Sequence, residues 1–275
     1  MNDSVAHWSP DAASWLLALL LALAYGGLTR FRFQKGFYLY FSALALLVVI
    51  LSAVHLVLNR AYSFSAHMVG HLVLLLICGP LLVLGFPTAL SGSVAVATRR
   101  FSRLMQRWPW LGWLAGIGIM WVWHLPSLFQ SLVSQHDGAL HGLPLLHTAS
   151  LLGAGILFSW PLLGPIEKAR MHPLAGVLYL FTACTACSLL GLFIAFAPAG
   201  LYAYPQTVTH AGFTQVICDT PANGADDQQT AGLIMWVPCC FIYLTGAMFL
   251  LRTGLLAQEH SQPTLDTRLP LPEIR

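Results

Sequence analysis

Residues 65–87 read SAHMVGHLVLLLICGPLLVLGFP. The stretch is apolar for long enough to cross a bilayer, which takes about 20 residues. It nevertheless opens with two histidines, His67 and His71, spaced i, i+4. On a helix that spacing stacks both imidazoles on one face, about 6 Å apart along the axis. Polar groups near the end of a membrane span are costly unless they find partners. A histidine pair at this spacing is also a common way for one helix to offer two nitrogen ligands to a metal ion.

The rest of the chain is of the same kind. Charged residues make up 8% of the 275 and hydrophobic residues 57%, with a mean hydropathy of +0.71. An ordinary soluble domain carries about 25% charged residues. A chain this apolar cannot clothe a soluble surface, which places it among polytopic membrane proteins. Its basic residues are not interleaved with a soluble fold, so nucleic acid is not an expected partner and membrane lipid is. The N-terminal MNDSVAHWSPDAAS lacks a basic run and does not read as a cleaved signal peptide.

Seven segments are apolar enough to span, at about 12–29, 37–58, 65–86, 110–130, 142–163, 174–197 and 230–251. Their length excludes barrel strands, so an all-α bundle of seven transmembrane helices is expected. Twelve of the 13 Lys and Arg, all but Arg60, fall in the loops of one side. By the positive-inside rule that side is cytoplasmic, the N-terminus is outside and the C-terminus inside, which requires an odd number of spans. Interfacial aromatics, among them Trp15 and Trp236 outside and Trp108 and Trp110 inside, agree. Residues 1–255 read as one seven-helix domain and 256–275 as a cytoplasmic tail, with the polar chain after Arg252 expected to be loosely ordered. The longest outer loop, 198–229, reads as an irregular cap from its Pro, Gly, Asn and Thr content.

This orientation gathers the histidines. His67 and His71 lie in the outer third of span 3, His55 and His124 near the outer ends of spans 2 and 4, and His141 and His147 at the start of span 5. His7, His136 and His210 are also on the outer side. A single histidine near a helix end can simply reach the interface or bond a carbonyl, and for His55, His136 and His210 that reading is kept. Convergence favours a shared polar or metal site for His67, His71, His124 and His147. Neutral imidazoles suit copper, zinc or iron rather than calcium or magnesium. Met68 and Met235 lie near the same layer and would favour Cu(I), although methionine in a helix is more often packing. Asp226 and Asp227, at the lip of span 7, could orient an imidazole or cap a helix. Cys184 and Cys187 form CxxC among small residues and read as packing. Cys239 and Cys240 are adjacent and are not expected to face one neighbour; Cys78 and Cys218 have no sequence partner.

Several stretches together resemble the CtaG family of bacterial cytochrome c oxidase assembly factors. They are HMVGHLVLLLICGPLLVLGFP (67–87), WHLP (123–126), HTASLLGAGILFSWPLLGP (147–165), LYAY (201–204) and DQQTAGLIMWVP (227–238), in the family's order. The resemblance implies a part in making active oxidase at the stage where copper enters, with oxidase subunits as partners, in the bacterial inner membrane. Its characteristic polar positions fall on His67, His71, His124, His147 and Asp227. Two departures stand out: Gly70 where the motif has Gln, and a long 205–226 insert. Copper handling without enzymatic activity is the expected function, since no catalytic motif is complete: HMVGH lacks the glutamate of HExxH. A haem protein using facing histidines, or a zinc-dependent intramembrane hydrolase using three histidines and Asp227, are the alternatives, with zinc and haem ranked behind copper.

Overall fold

The computed structural model describes residues 12–261 apart from 31, 61–62, 134–142, 199–200, 203–204, 211–212 and 219–220. Among these residues the chain forms α1 (Ala12–Thr29), α2 (Phe37–Arg60), α3 (Phe64–Leu84), α4 (Gly92–Arg107), α5 (Pro109–Trp123), α6 (Pro126–Val133), α7 (Leu143–Leu163), α8 (Pro173–Phe196) and α9 (Pro221–Ser261). Four stretches, Phe64–Leu84, Leu145–Leu163, Pro173–Phe196 and Asp226–Leu256, are helical, long and apolar enough to cross a membrane. Trp15–Thr29, Phe37–Ala53 and Pro109–Trp123 are shorter apolar helices. Large side chains such as Leu19, Leu23, Leu178, Phe181, Phe193, Phe241 and Phe249 are exposed on the outside of the bundle, as lipid contact requires.

Helices α3 and α5 are not uniform. Each contains one wide π turn, Leu74–Cys78 in α3 and Leu114–Gly118 in α5. In α3 the turn precedes Pro80, whose ring would clash with the Leu76 carbonyl in a regular helix and whose nitrogen cannot donate to it. The turn also re-phases the helix. His71 and Gly79 are eight residues apart, about 800° in an unbroken α-helix and about 80° past two full turns. One residue taken up by the bulge reduces the interval to about 700°, so both positions face α7. A Cβ at Gly79 would lie 2.6 Å from Gly155 C, and one at Gly155 would lie 2.6 Å from Leu75 O. Only glycine permits the two backbones to approach this closely.

Among the described residues, helices α8 and α9 lie side by side over the most extended helix–helix interface. They use the same device: a Cβ at Gly191 would stand 2.7 Å from Gly232 O, and the reverse contact is also 2.7 Å. Gln228 closes the end of the pair, its buried side-chain nitrogen donating to Ile194 O at 3.0 Å and Ala197 O at 2.9 Å, two carbonyls left open by the end of α8.

Three segments depart from the sequence expectation. The four arginines between α3 and α5 lie on a helix, α4, rather than a loop. Arg99, Arg103 and Arg107 recur every four residues, while Ser102 and Met105 are buried. Trp160 of α7 donates to Ser102 Oγ at 3.1 Å and packs edge-on against Phe101, which seats this amphipathic helix. The long loop before α9 is not irregular but carries a two-stranded antiparallel hairpin, β1 (Pro205–His210) and β2 (Phe213–Cys218), in register from Pro205 opposite Cys218 to His210 opposite Phe213. Its β-branched runs TVT and VI favour extended chain over the loop its neighbours suggest. Finally, α9 continues past Arg252 to Ser261, where a loose tail was expected.

Candidate metal centre

The site is assembled at the end of the bundle where α3 begins. Ser63 caps that helix, accepting from Ala66 N at 3.2 Å. Asp227 of α9 supplies the remaining cap from across the bundle: its carboxylate accepts from Phe64 N at 2.6 Å, Ser65 N at 3.2 Å, Ser63 Oγ at 3.3 Å and Ser65 Oγ. These groups include amide donors that a helix start leaves unsatisfied, and a negative charge suits that end of the helix dipole. The rotation of α3 is thereby fixed, with His67 and His71 turned toward α7.

There they meet His147. One nitrogen from each of His67, His71 and His147 can be chosen so that all three lie within 4.8 Å of one another. The His71 and His147 Nε2 atoms are 2.8 Å apart, sharing one hydrogen between them. His67 stacks on His147 with ring centroids 5.3 Å apart and lies 4.4 Å from His71. His71 and His147 are buried and His67 is half-buried, so the triad opens on the His67 side. Ligands at about 2.1 Å in a tetrahedral array stand about 3.4 Å apart. An ion replacing the shared proton therefore requires His71 and His147 to part by about half an ångström and His67 to close by somewhat more.

His124 adjoins the triad without entering it. Its ring lies 5.1 Å from His71, at right angles. Nδ1 is 2.6 Å from Met120 O, and Nε2 is 3.1 Å from Met68 Sδ. Both partners only accept, so a neutral His124 ring donates to one of them, and the shorter Met120 contact makes Nδ1 the protonated nitrogen. Tyr202, in the turn after α8, donates to His124 O at 2.8 Å and stacks on Phe64. Burial pushes its phenol up from the usual tyrosine range, so it remains a donor.

The five sequence-predicted residues thus divide. His67, His71 and His147 come together, His124 stands beside them, and Asp227 holds the N-terminus of α3. Met68 belongs to His124, and Met235 is buried beneath His71. His55 falls on α2 and His210 on β1, while His7, His136 and His141 lie outside the described residues. Two residues not singled out from the sequence position the triad. Trp123 packs edge-on to His147 at 4.8 Å and donates to Ser150 Oγ at 2.8 Å, and Ser150 in turn donates to His147 O at 2.9 Å. Ser150 is one helical turn from His147 and Trp123 adjoins His124, a pairing visible only once α5 and α7 are packed. Cys239 and Cys240 also break expectation by both facing α8. Cys184 Sγ donates to Cys240 Sγ at 3.0 Å, and Cys239 lies against Cys187. The close Gly191–Gly232 crossing widens the strip of α9 that α8 covers, enough to take two consecutive positions.

Among protein families, the model of the cytochrome c oxidase caa3 assembly factor family (Caa3_CtaG) matches residues 11–255. The chain belongs to that family. The match runs from the first residue before α1 into the end of α9, so the triad, the Asp227 cap and the hairpin all lie within the matched span. No curated protein and no solved structure matches the chain.

Proposed function

We propose that this Caa3_CtaG family member is a seven-span, non-enzymatic metal handler, which holds one copper ion on His67, His71 and His147 at the outer face of the bacterial inner membrane and passes it to an oxidase subunit. The observation that carries this reading is the imidazole triad itself: three neutral nitrogen donors, two of them buried, converging at one end of an apolar bundle. Burying such groups is unfavourable unless they bind something. Oxidase copper centres use histidine, so exchange between like ligand sets avoids a large energetic step. Family membership supports the client, and the one-sided distribution of Lys and Arg supports the orientation. The half-buried His67 gives a client ligand one imidazole to displace first. The hydrolase alternative finds little support, because Asp227 is engaged with backbone amides and Ser63 and Ser65 rather than with the triad.

The test is copper and zinc content of detergent-purified protein, wild type beside His71→Ala, after loading with Cu(I) and washing. The variant is expected to hold at least one copper per chain fewer than the wild type. Equal metal in both, or none in either, would overturn the reading and leave the histidines as structural residues.

A further inference from the structure

Beneath the triad the side chains change from nitrogen to sulfur. His71, Met120, Met235 and Cys239 border one narrow gap between α3, α5, α7 and α9, otherwise walled by leucines and without room for a water. Met120, Met235 and Cys239 are at most 2% exposed. His71 engages His147 through Nε2, and its Nδ1, buried, has no hydrogen-bond partner among the described residues. An imidazole nitrogen so placed is costly unless a ligand completes it.

We infer that this gap is a second metal site, for a soft monovalent d10 ion such as Cu(I) or Ag(I), with Met235, Cys239 and His71 Nδ1 as ligands and Met120 beside them. Three arguments select the ion. Thioether and thiol sulfur prefer soft cations over hard ones. Cys239 loses its proton to solvent as the sulfur–metal bond forms, and the resulting thiolate neutralises one positive charge, not two, which matters where no water can screen the remainder. The space has no room for a hydrated ion, so the ligands must replace the hydration shell, as soft two- and three-coordinate ions allow. A neutral imidazole has one lone pair, so His71 serves the two stations in turn, through Nε2 above or Nδ1 below, its N–H proton changing nitrogen between them. With both filled it stays with the upper ion, and the lower ion rests on Met235 and Cys239. The proposal deepens the metal-handling reading and rests on it only for the upper station.

Silver(I), which has no redox chemistry here, is the probe. The full chain in detergent is loaded with Ag(I), the bound ions are counted, and the silver K-edge absorption spectrum is read for nitrogen and sulfur neighbours. Wild type is expected to hold two ions, with both kinds of neighbour. Met235→Leu/Cys239→Ser should keep one ion with nitrogen neighbours alone, and His67→Ala/His147→Ala should keep one with sulfur neighbours and the single nitrogen of His71. Met235→Leu alone, a volume-conserving change, serves if the double variant does not fold, and should lower the sulfur signal. Cys184→Ser/Cys240→Ser should leave the spectrum as in wild type; loss of sulfur ligation there would assign it to that thiol pair and overturn the proposal. A wild-type spectrum without sulfur, or one that Met235→Leu/Cys239→Ser leaves unchanged, would overturn it equally. A wild type holding a single ion with sulfur among its neighbours, and none bound by nitrogen alone, would instead sink the triad reading and leave this one standing.

Discussion

The pairs α3–α7 and α8–α9 solve the same packing problem with different consequences. Both bring two backbones into contact through facing glycines, Gly79 with Gly155 and Gly191 with Gly232. Only α3 also takes up an extra residue in a π turn. In α8–α9 the small-residue strip is continuous, and the polar groups along it are thiols and hydroxyls that can bond across the seam, such as Cys184, Ser188 and Cys240. In α3–α7 the bulge separates a close-packed half from an imidazole half and lets both face the same neighbour. The lesson is that close packing and polar ligand display compete for one helix face, and a one-residue insertion resolves the competition.

The most damaging way to test that difference is to widen each crossing. Gly155→Leu forces a side chain onto the Leu75 backbone and should cost about 3 kcal/mol or more. Because that crossing sets the distance between His71 and His147, the variant should also lose its metal. Gly191→Leu should destabilise by a similar amount yet retain metal in whatever fraction stays folded. Thermal unfolding in detergent with metal content on the folded fraction checks both, and equal metal loss in the two would erase the distinction.

A smaller effect is expected at the α3 cap. Asp227→Ala leaves the first amides of α3 without an acceptor and should lower stability by about 2 kcal/mol, with Asp227→Asn roughly halfway. Metal should be retained in both. Metal loss without a change in melting temperature would make Asp227 a ligand in place of a cap.

Smaller again are the two tryptophan hydrogen bonds, one at each end of α7. Ser150→Ala frees Trp123 Nε1 beside His147 and should cost about 1 kcal/mol of stability together with about tenfold in metal affinity. Ser102→Ala frees Trp160 Nε1 at the opposite end and should cost about the same in stability, with no effect on metal. Affinity by competition with a chelator, measured on both, separates a positioning role from a packing one.

Much of this architecture could be read from the chain because apolar runs and i, i+4 histidines are local signals. His67 and His71 share a face by helix geometry alone, and the depth of His147 follows from where its helix starts. The amphipathic α4 was also legible, in the four-residue recurrence of Arg99, Arg103 and Arg107, but four arginines between apolar runs read equally as a cytoplasmic loop. The hairpin showed only in short β-branched runs, weak against the turn residues around them. The π turns left no sequence mark beyond Pro80, since a bulge is set by what lies across the interface. The cap on α3 was hidden for the same reason. Ser63 announces a helix start, but nothing near it in sequence points to a carboxylate on α9.

That cap has a consequence in time. Asp227 lies 162 residues after Ser65, its bonding partner. At about 5–20 residues per second, the ribosome reaches it roughly 10–30 s after the histidines of α3 have been made. Until α9 arrives the first turn of α3 has only Ser63 to hold it, so its rotation about its own axis is not yet fixed. The start of α3 is therefore secured only in the last step of folding, when the final helix docks beside it.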